Sequence, residues 1–162
     1  MPAALPPPRL DQQLCFALYS ASRAVIRAYA PLLAPLGITY PQYLALVALW
    51  GEDGVSVKRL GEQLALDSAT LTPLLKRLEQ QGIIQRRRDD ADERVVRIHL
   101  TDKGRALRGK ARHVPATLAC LVGYDTADRA ALARLGRLRE ELHTLTRHLE
   151  RAASPGRAPP EI

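Results

Sequence analysis

Two cysteines and a short series of tyrosines carry the redox-capable chemistry of this 162-residue chain. Cys15 stands in the run Leu-Cys-Phe-Ala-Leu-Tyr-Ser, early in an apolar helical stretch. Near a helix N-terminus the dipole favours the thiolate, which can be oxidised reversibly. A lone cysteine on an apolar face is most often just a small buried hydrophobe. Here it shares a stripe with Tyr19 and Tyr29. Tyr19, at i+4, is within reach of the sulfur on one helix. Tyr29 lies ~21 Å further along the axis, so only an antiparallel partner helix would bring a second Tyr29 to Cys15. The other thiol, Cys120, sits between Leu118 and Leu121, where plain packing is the competing account. His99, His113, His143 and His148 show neither i,i+4 pairs nor a cysteine at ligand spacing, so no metal or other cofactor is expected.

A second constellation suits a polyanion. On one helical stretch Ala69, Thr72, Pro73, Lys76 and Gln80 share an outward face, with Ser68 and Thr70 at its start and Arg77 beside it. Hydroxyls and Lys76 can bond phosphates or base edges, and the methyls of Ala69 and Thr72 can touch thymine. Arg86, Arg87, Arg88, Arg94 and Arg97 follow, interleaved with Asp89, Asp90, Asp92 and Glu93. An arginine at a hairpin tip can enter a minor groove, and Asp92 can aim Arg94 by a charge-assisted bond. An isolated charged hairpin is usually only solvated. Its place after a helix-turn-helix pattern changes that reading.

The elements that must position these residues are mostly helical. A first helix is expected from about Asp11, as N-cap, to about Ala30, ended by Pro31. A second runs from about Pro41 to Trp50, apolar almost all round, with a loop over Gly51–Gly54. Ser56 caps a short third helix that turns Val57, Leu60 and Leu64 inward. The fourth starts at Asp67 or Ser68 and buries Leu71, Leu74, Leu75 and Leu78, with Gly82 as its stop. Pro73 sits deep in that helix, and a start capped by Thr72 would avoid the lost hydrogen bond. Ile83–Arg87 and Val95–Leu100 read as two strands joined by a charged tip. Thr101 caps a fifth helix. Asp125 or Thr126 caps a sixth, whose Leu138, Leu142, Leu145 and Leu149 form a coiled-coil-like stripe suited to a partner helix.

Composition narrows the class. With 46% hydrophobic and 25% charged residues the chain can bury a core. Its longest apolar run, Tyr43–Trp50, is too short to span a bilayer, and the Pro-rich N-terminus has no secretory h-region. A cytoplasmic protein with reduced thiols and no membrane partner is expected. The net charge of +7 suits a polyanion, yet residues 51–100 carry nine basic and nine acidic side chains. Nucleic acid would be bound there by placed charges rather than by excess.

Leu10–Ser20 (LDQQLCFALYS), Gly37–Leu44 (GITYPQYL), Leu66–Gly82 (LDSATLTPLLKRLEQQG) and Asp92–Arg94 (DER) resemble the MarR family of winged-helix repressors, and within it the organic-hydroperoxide-sensing OhrR branch. The likeness spans about residues 10–150. It implies a mostly α fold with a small β-hairpin, a winged helix-turn-helix whose N- and C-terminal helices form a dimerisation region. The expected division is a Pro-rich disordered tail over 1–9, one domain over 10–152 and a second disordered tail over 153–162. Within the domain, helices at about 10–36 and 101–152 would dimerise, and about 40–100 would bind DNA. The resemblance further implies a homodimer on double-stranded DNA at a pseudo-palindromic operator, with an organic hydroperoxide as inducer. It makes Cys15 the reactive sulfur, Tyr19 and Tyr29 its partners from the other subunit, and Cys120 a resolving thiol where no small thiol serves. DNA contacts fall to Ser68, Ala69, Thr70, Thr72, Pro73, Lys76, Arg77, Arg86, Arg88, Asp92 and Arg94. Two rivals compete with this non-enzymatic reading: a MarR-type repressor released by a phenolic ligand among Tyr19, Tyr29, Tyr40 and Tyr43, and a thiol peroxidase using Cys15 with Arg23 or Arg27.

Overall fold

The computed structural model describes residues 9–153. The expected Pro-rich and C-terminal tails lie outside them, apart from Arg9 and Ala153. Residues up to Val114 form one compact unit and those from Pro115 a second.

In the first unit α1 spans Leu14–Leu33. It starts later than expected, because Arg9 pairs with the Asp11 carboxylate at 2.8 Å within a preceding 3-10 turn, Leu10–Gln12. Gln13 takes the cap position without a side-chain bond. It also ends later, since Pro31 falls in the last turn and removes only the bond to the Arg27 carbonyl. Burial of Leu33 draws the helix on, and the chain turns at Gly37, φ 68°.

Helix α2 (Tyr40–Gly51) is entered through Gln42, whose Oε1 accepts from the Thr39 N–H at 2.8 Å and its hydroxyl at 3.2 Å. Its Tyr43, Ala45, Leu46 and Leu49 lie in the core. A two-residue strand β1 (Val55–Ser56) follows, too short for any alternation to announce. Ser56 also caps α3 (Val57–Leu64), accepting from Arg59 N at 3.1 Å.

Ala65 makes the next turn with φ 51°, a left-handed backbone in a non-glycine residue. Helix α4 (Ser68–Gln80) then begins at Asp67, whose carboxylate accepts from Thr70 N at 2.7 Å. That settles its start: the alternative cap at Thr72 is not used, and Pro73 lies inside the helix. The Asp67 cap and the burial of Leu71, Leu74, Leu75 and Leu78 outweigh one missing bond. Truncating any of these leucines to alanine costs about 2–5 kcal/mol.

Strands β2 (Ile84–Arg88) and β3 (Val96–Leu100) form the hairpin, β2 a residue later than expected and β3 starting a residue later but ending as expected. The sheet order is β1-β3-β2, antiparallel throughout, with Val55 opposite Ile98 and Arg87 opposite Arg97. Ile98 and Leu100 face the core, as the alternation predicts. Thr101 caps α5 (Asp102–Ala111) by accepting from Gly104 N at 3.2 Å. Helix α5 lies so close to the sheet that a Cβ on Gly104 would collide with the Ile83 carbonyl. Trp50 Nε1 donates to the Gly104 carbonyl at 3.0 Å and pins α2 to the same point.

The second unit holds α6 (Val114–Leu121, which begins at the last residue of the first unit) and α7 (Arg129–Ala153). Helix α7 starts after Asp128, whose carboxylate accepts from Ala130 N at 2.8 Å. The expected cap, Asp125, instead accepts from Ala127 N at 2.8 Å and closes a preceding turn. On α7, Leu138, Leu142 and Leu149 are exposed and Leu145 is half-buried.

Candidate nucleic-acid interface and thiol site

Helix α4 buries its leucines, so its other face is open. Ser68, Ala69, Thr70, Thr72, Pro73, Lys76 and Arg77 are all exposed. The structure brings these residues together as a continuous polar surface whose first-turn amides are capped by Asp67. The backbone and side-chain bonds from Thr70 hold the Asp67 carboxyl below the usual carboxylate range.

The hairpin tip is ordered by its own carboxylates. Asp89 accepts from Ala91 N at 2.9 Å and Asp92 N at 3.1 Å, and pairs with Arg97. Arg97 also donates to the Gly54 carbonyl at 3.0 Å, tying the tip to the loop before β1. Asp92 accepts from Arg94 through Nε at 3.0 Å, Nη2 at 3.1 Å and the backbone N at 3.1 Å. Arg94 stays 90% exposed despite this clamp, so its guanidinium is aimed outward. Bonding to the arginines lowers the carboxyl pKa of both Asp89 and Asp92, and Asp92 raises that of Arg94. The sequence reading singled out Asp92 and passed over Asp89. The strand register that sets Arg97 over this turn was the missing signal.

Arg86 and Arg88 differ. Arg88 is exposed, 4.0 Å from Glu93. Arg86 is drawn inward: its Nε lies 3.3 Å from Glu79 Oε2, and its Nη2 donates to the Thr72 carbonyl at 3.4 Å. It braces α4 against β2 more than it faces solvent. Between α3, the start of α4 and the hairpin lies an open groove of about 960 Å³, bordered by Ser56, Lys58, Ser68 and Arg94 with Leu66 and Val96 at its apolar wall. Its border mixes charges, with Lys58 and Arg94 beside Glu62 and Asp67.

The sulfur sits elsewhere. Cys15 is the second residue of α1, closer to the helix start than the Asp11 boundary would put it, and it is exposed as a free thiol. Among the described residues its sulfur makes no hydrogen bond. Around it Leu14 is 62% and Tyr19 57% exposed, and Phe16 and Ile26 are open too. Tyr19 does not reach for the sulfur. Its hydroxyl accepts from Arg23 Nη1 at 3.1 Å, with that guanidinium 5.4 Å from the ring.

Tyr29 packs on Tyr40 and Tyr43 at ring distances of 4.7 and 5.6 Å, and Tyr43 meets Trp50 edge-on at 6.2 Å. Burial, and then repulsion from Tyr40 and Tyr43, push the Tyr29 phenol up to about 12. It is a proton donor at neutral pH. These three tyrosines pack together between α1 and α2. Cys120 is exposed and free near the end of α6. Among the described residues no group of three or more histidine, cysteine or acidic side chains is placed to hold a metal ion. Nor is any single helix among them long and apolar enough to cross a membrane.

Known proteins bear on both sites. Residues 27–110 match the family described as transcriptional regulator SarA/Rot. The chain is 54% identical over 138 residues to the HTH-type transcriptional regulator TtmR of Methylorubrum extorquens, covering 85% of this chain and 71% of that one. It is 50% identical over 137 residues to the organic hydroperoxide resistance transcriptional regulator of Bacillus subtilis, covering 85% and 89%. Among solved structures it is similar to AbfR of Staphylococcus epidermidis. Reduced AbfR bound to DNA superposes with a TM-score of 0.73 at 36% identity, covering 87% of this chain and 94% of that one. AbfR is also known overoxidised on DNA and in a disulfide form.

Proposed function

The chain belongs to the winged-helix transcriptional regulators of the SarA/Rot and MarR type, and on that premise we propose that it is a homodimeric, non-enzymatic repressor that senses organic hydroperoxides through Cys15. The observation that carries this reading is the placement of that thiol. It is exposed at the second position of α1, beside a helix start with no side-chain cap, in a neighbourhood of solvent-facing apolar residues. The half-identity to a hydroperoxide resistance regulator supports the inducer, and the redox forms of AbfR support control through sulfur.

In the reduced dimer two α4 helices enter successive major grooves about 34 Å apart. Ser68, Ala69, Thr70, Thr72, Pro73, Lys76 and Arg77 meet phosphates and base edges, Arg88 adds a phosphate contact, and Arg94, steered by Asp92, enters the minor groove. Arg86 serves the interface by holding α4 to β2. Helices at about 10–36 and 101–152 supply the dimer contacts. The Cys15 thiolate attacks the terminal peroxide oxygen of ROOH. The O–O bond breaks, ROH leaves once protonated, and sulfur becomes a sulfenate. A thiol, from Cys120 of the partner or a small molecule, then displaces water to form a disulfide. Tyr19 and Tyr29 donate to the sulfur from the partner subunit until oxidation displaces them. Polar or cross-linked sulfur in an apolar interface shifts α1, the two reading helices lose their spacing, and the operator is released.

The test is a non-reducing gel and an operator-binding assay on the same protein, with and without stoichiometric cumene hydroperoxide. A dimer-sized band and loss of DNA binding are expected in the wild type and absent in Cys15→Ser. The band alone should vanish in Cys120→Ser if Cys120 resolves the sulfenate. Release of Cys15→Ser from DNA by hydroperoxide refutes the mechanism.

A further inference from the structure

Helix α4 contains a proline in its interior, which leaves one helical hydrogen bond unmade. Pro73 is the sixth residue of the helix, counted from Ser68, and is exposed. It has no N–H, so the Ala69 carbonyl, four residues back, loses its helical donor. Ala69 is exposed too, on the same outward face as Thr72 and Lys76. A free main-chain acceptor is thus displayed in the first turns of the helix that the proposed function sends into the major groove.

We propose that the Ala69 carbonyl reads a base directly, and that Pro73 is the specificity-determining residue that uncovers it. In the major groove the hydrogen-bond donors are the exocyclic amino groups of adenine and cytosine. The Ala69 methyl lies on the same residue and suits the thymine methyl, which adjoins the adenine amino group in an A·T pair. The preferred partner is therefore an A·T pair, once in each half-site. The adjoining strand steadies this stretch of α4, where Arg86 Nη2 donates to the Thr72 carbonyl at 3.4 Å and its Nε lies 3.3 Å from Glu79 Oε2.

This inference rests on α4 being the reading helix, and the experiment separates the two. The full-length reduced protein and Pro73→Ala, which restores the N–H, are each used to select duplexes from a random pool. Affinities are then measured on the selected site with single adenine or cytosine amino groups removed, by purine or pyrimidin-2-one substitution. The wild type should lose about five- to tenfold at one position per half-site. Pro73→Ala should be indifferent at that position. Pro73→Gly should behave as Pro73→Ala does, because it too regains the N–H. Equal losses in wild type and both variants at every position overturn the carbonyl contact while leaving the reading helix in place. A wild type that selects no sequence overturns the reading helix itself, and this inference with it.

Discussion

The hairpin with α4 and the first half of α1 solve opposite problems. In the former several charges are already held: Asp92 clamps Arg94, Asp89 holds Arg97, and Arg86 lies against Glu79. Behind these lie Leu71, Leu75, Leu78, Ile84 and Ile98, essentially without solvent contact. Along α1 the order is reversed. Apolar residues face outward, the cap is missing, and Cys15 has no partner among the described residues. A surface meant to recognise a fixed polyanion gains from pre-organisation, since little entropy is lost on binding. On the proposed function, the α1 surface must change state on oxidation and cannot be locked in this way. It must leave its sulfur reachable and take its stability from a contact that chemistry can remove.

The strongest way to break this contrast is to destroy the rigid side. Gly104→Ala should lower the stability of the first unit by about 3 kcal/mol or more, because the new Cβ meets the Ile83 backbone rather than a side chain that could move. Thermal unfolding followed by circular dichroism should show a drop of more than about 10 °C. An unchanged melting temperature would mean that α5 is not seated on the sheet as described.

The rigid side was also the more legible one in the sequence. The caps at Ser56, Asp67 and Thr101, the leucine stripe of α4 and the alternation through Ile98 and Leu100 each have a local physical cause. The misreadings have causes that residue type and spacing do not display. Asp11 failed as a cap because Arg9 took its carboxylate, and Pro31 failed to end α1 because Leu33 is buried beyond it. Strand β1 exists only through its pairing with β3. α6 was not separated from its neighbours, and the inward turn of Arg86 depends on Glu79, which spacing alone could not assign to it. For the thiol site, residue types and the resemblance pointed to Cys15, but the engagement of Tyr19 by Arg23 needed coordinates.

On the α1 side the matching test is Ile26→Lys. Ile26 is 42% exposed on α1. In a two-fold dimer the change occurs twice, so dimerisation should weaken about a hundredfold. Sedimentation should show monomers at concentrations where the wild type is dimeric, while the melting behaviour of the first unit stays close to that of Cys15→Ser controls. A variant that remains dimeric with wild-type affinity would remove α1 from the interface.

A smaller effect should separate Arg94 from its clamp. Arg94→Ala removes the outward guanidinium and should weaken operator binding tenfold or more. Asp92→Asn keeps Arg94 but loosens its aim, and should cost only a few-fold. The pH dependence gives the sign. Pairing lowers the Asp92 carboxyl from its ordinary value of 3.8. Its contribution is therefore complete above that value and disappears as the pH falls through the lowered one. Operator affinity at fixed salt should accordingly show no titration of this pair between about pH 5 and about 8. A loss of affinity over that window that disappears in Asp92→Asn would contradict the clamp.

The smallest expected effect lies inside the rigid side, at the one positive φ among the described non-glycine residues. Ala65 turns the chain from α3 into α4 at φ 51°, a conformation that costs an L-residue about 1 kcal/mol. Gly61 lets this turn close, since a Cβ there would lie 3.0 Å from the Leu66 carbonyl. Ala65→Gly removes the strain but adds freedom to the unfolded chain. The two terms oppose, and strain is the larger where φ is positive, so stability should rise by less than about 1 kcal/mol. Operator affinity should not change, because α4 is positioned by its Asp67 cap and four buried leucines rather than by the turn. Should Ala65→Gly instead weaken binding without lowering stability, the turn itself would be setting the pitch of α4, and the reading head would be less rigid than its hydrogen bonds indicate.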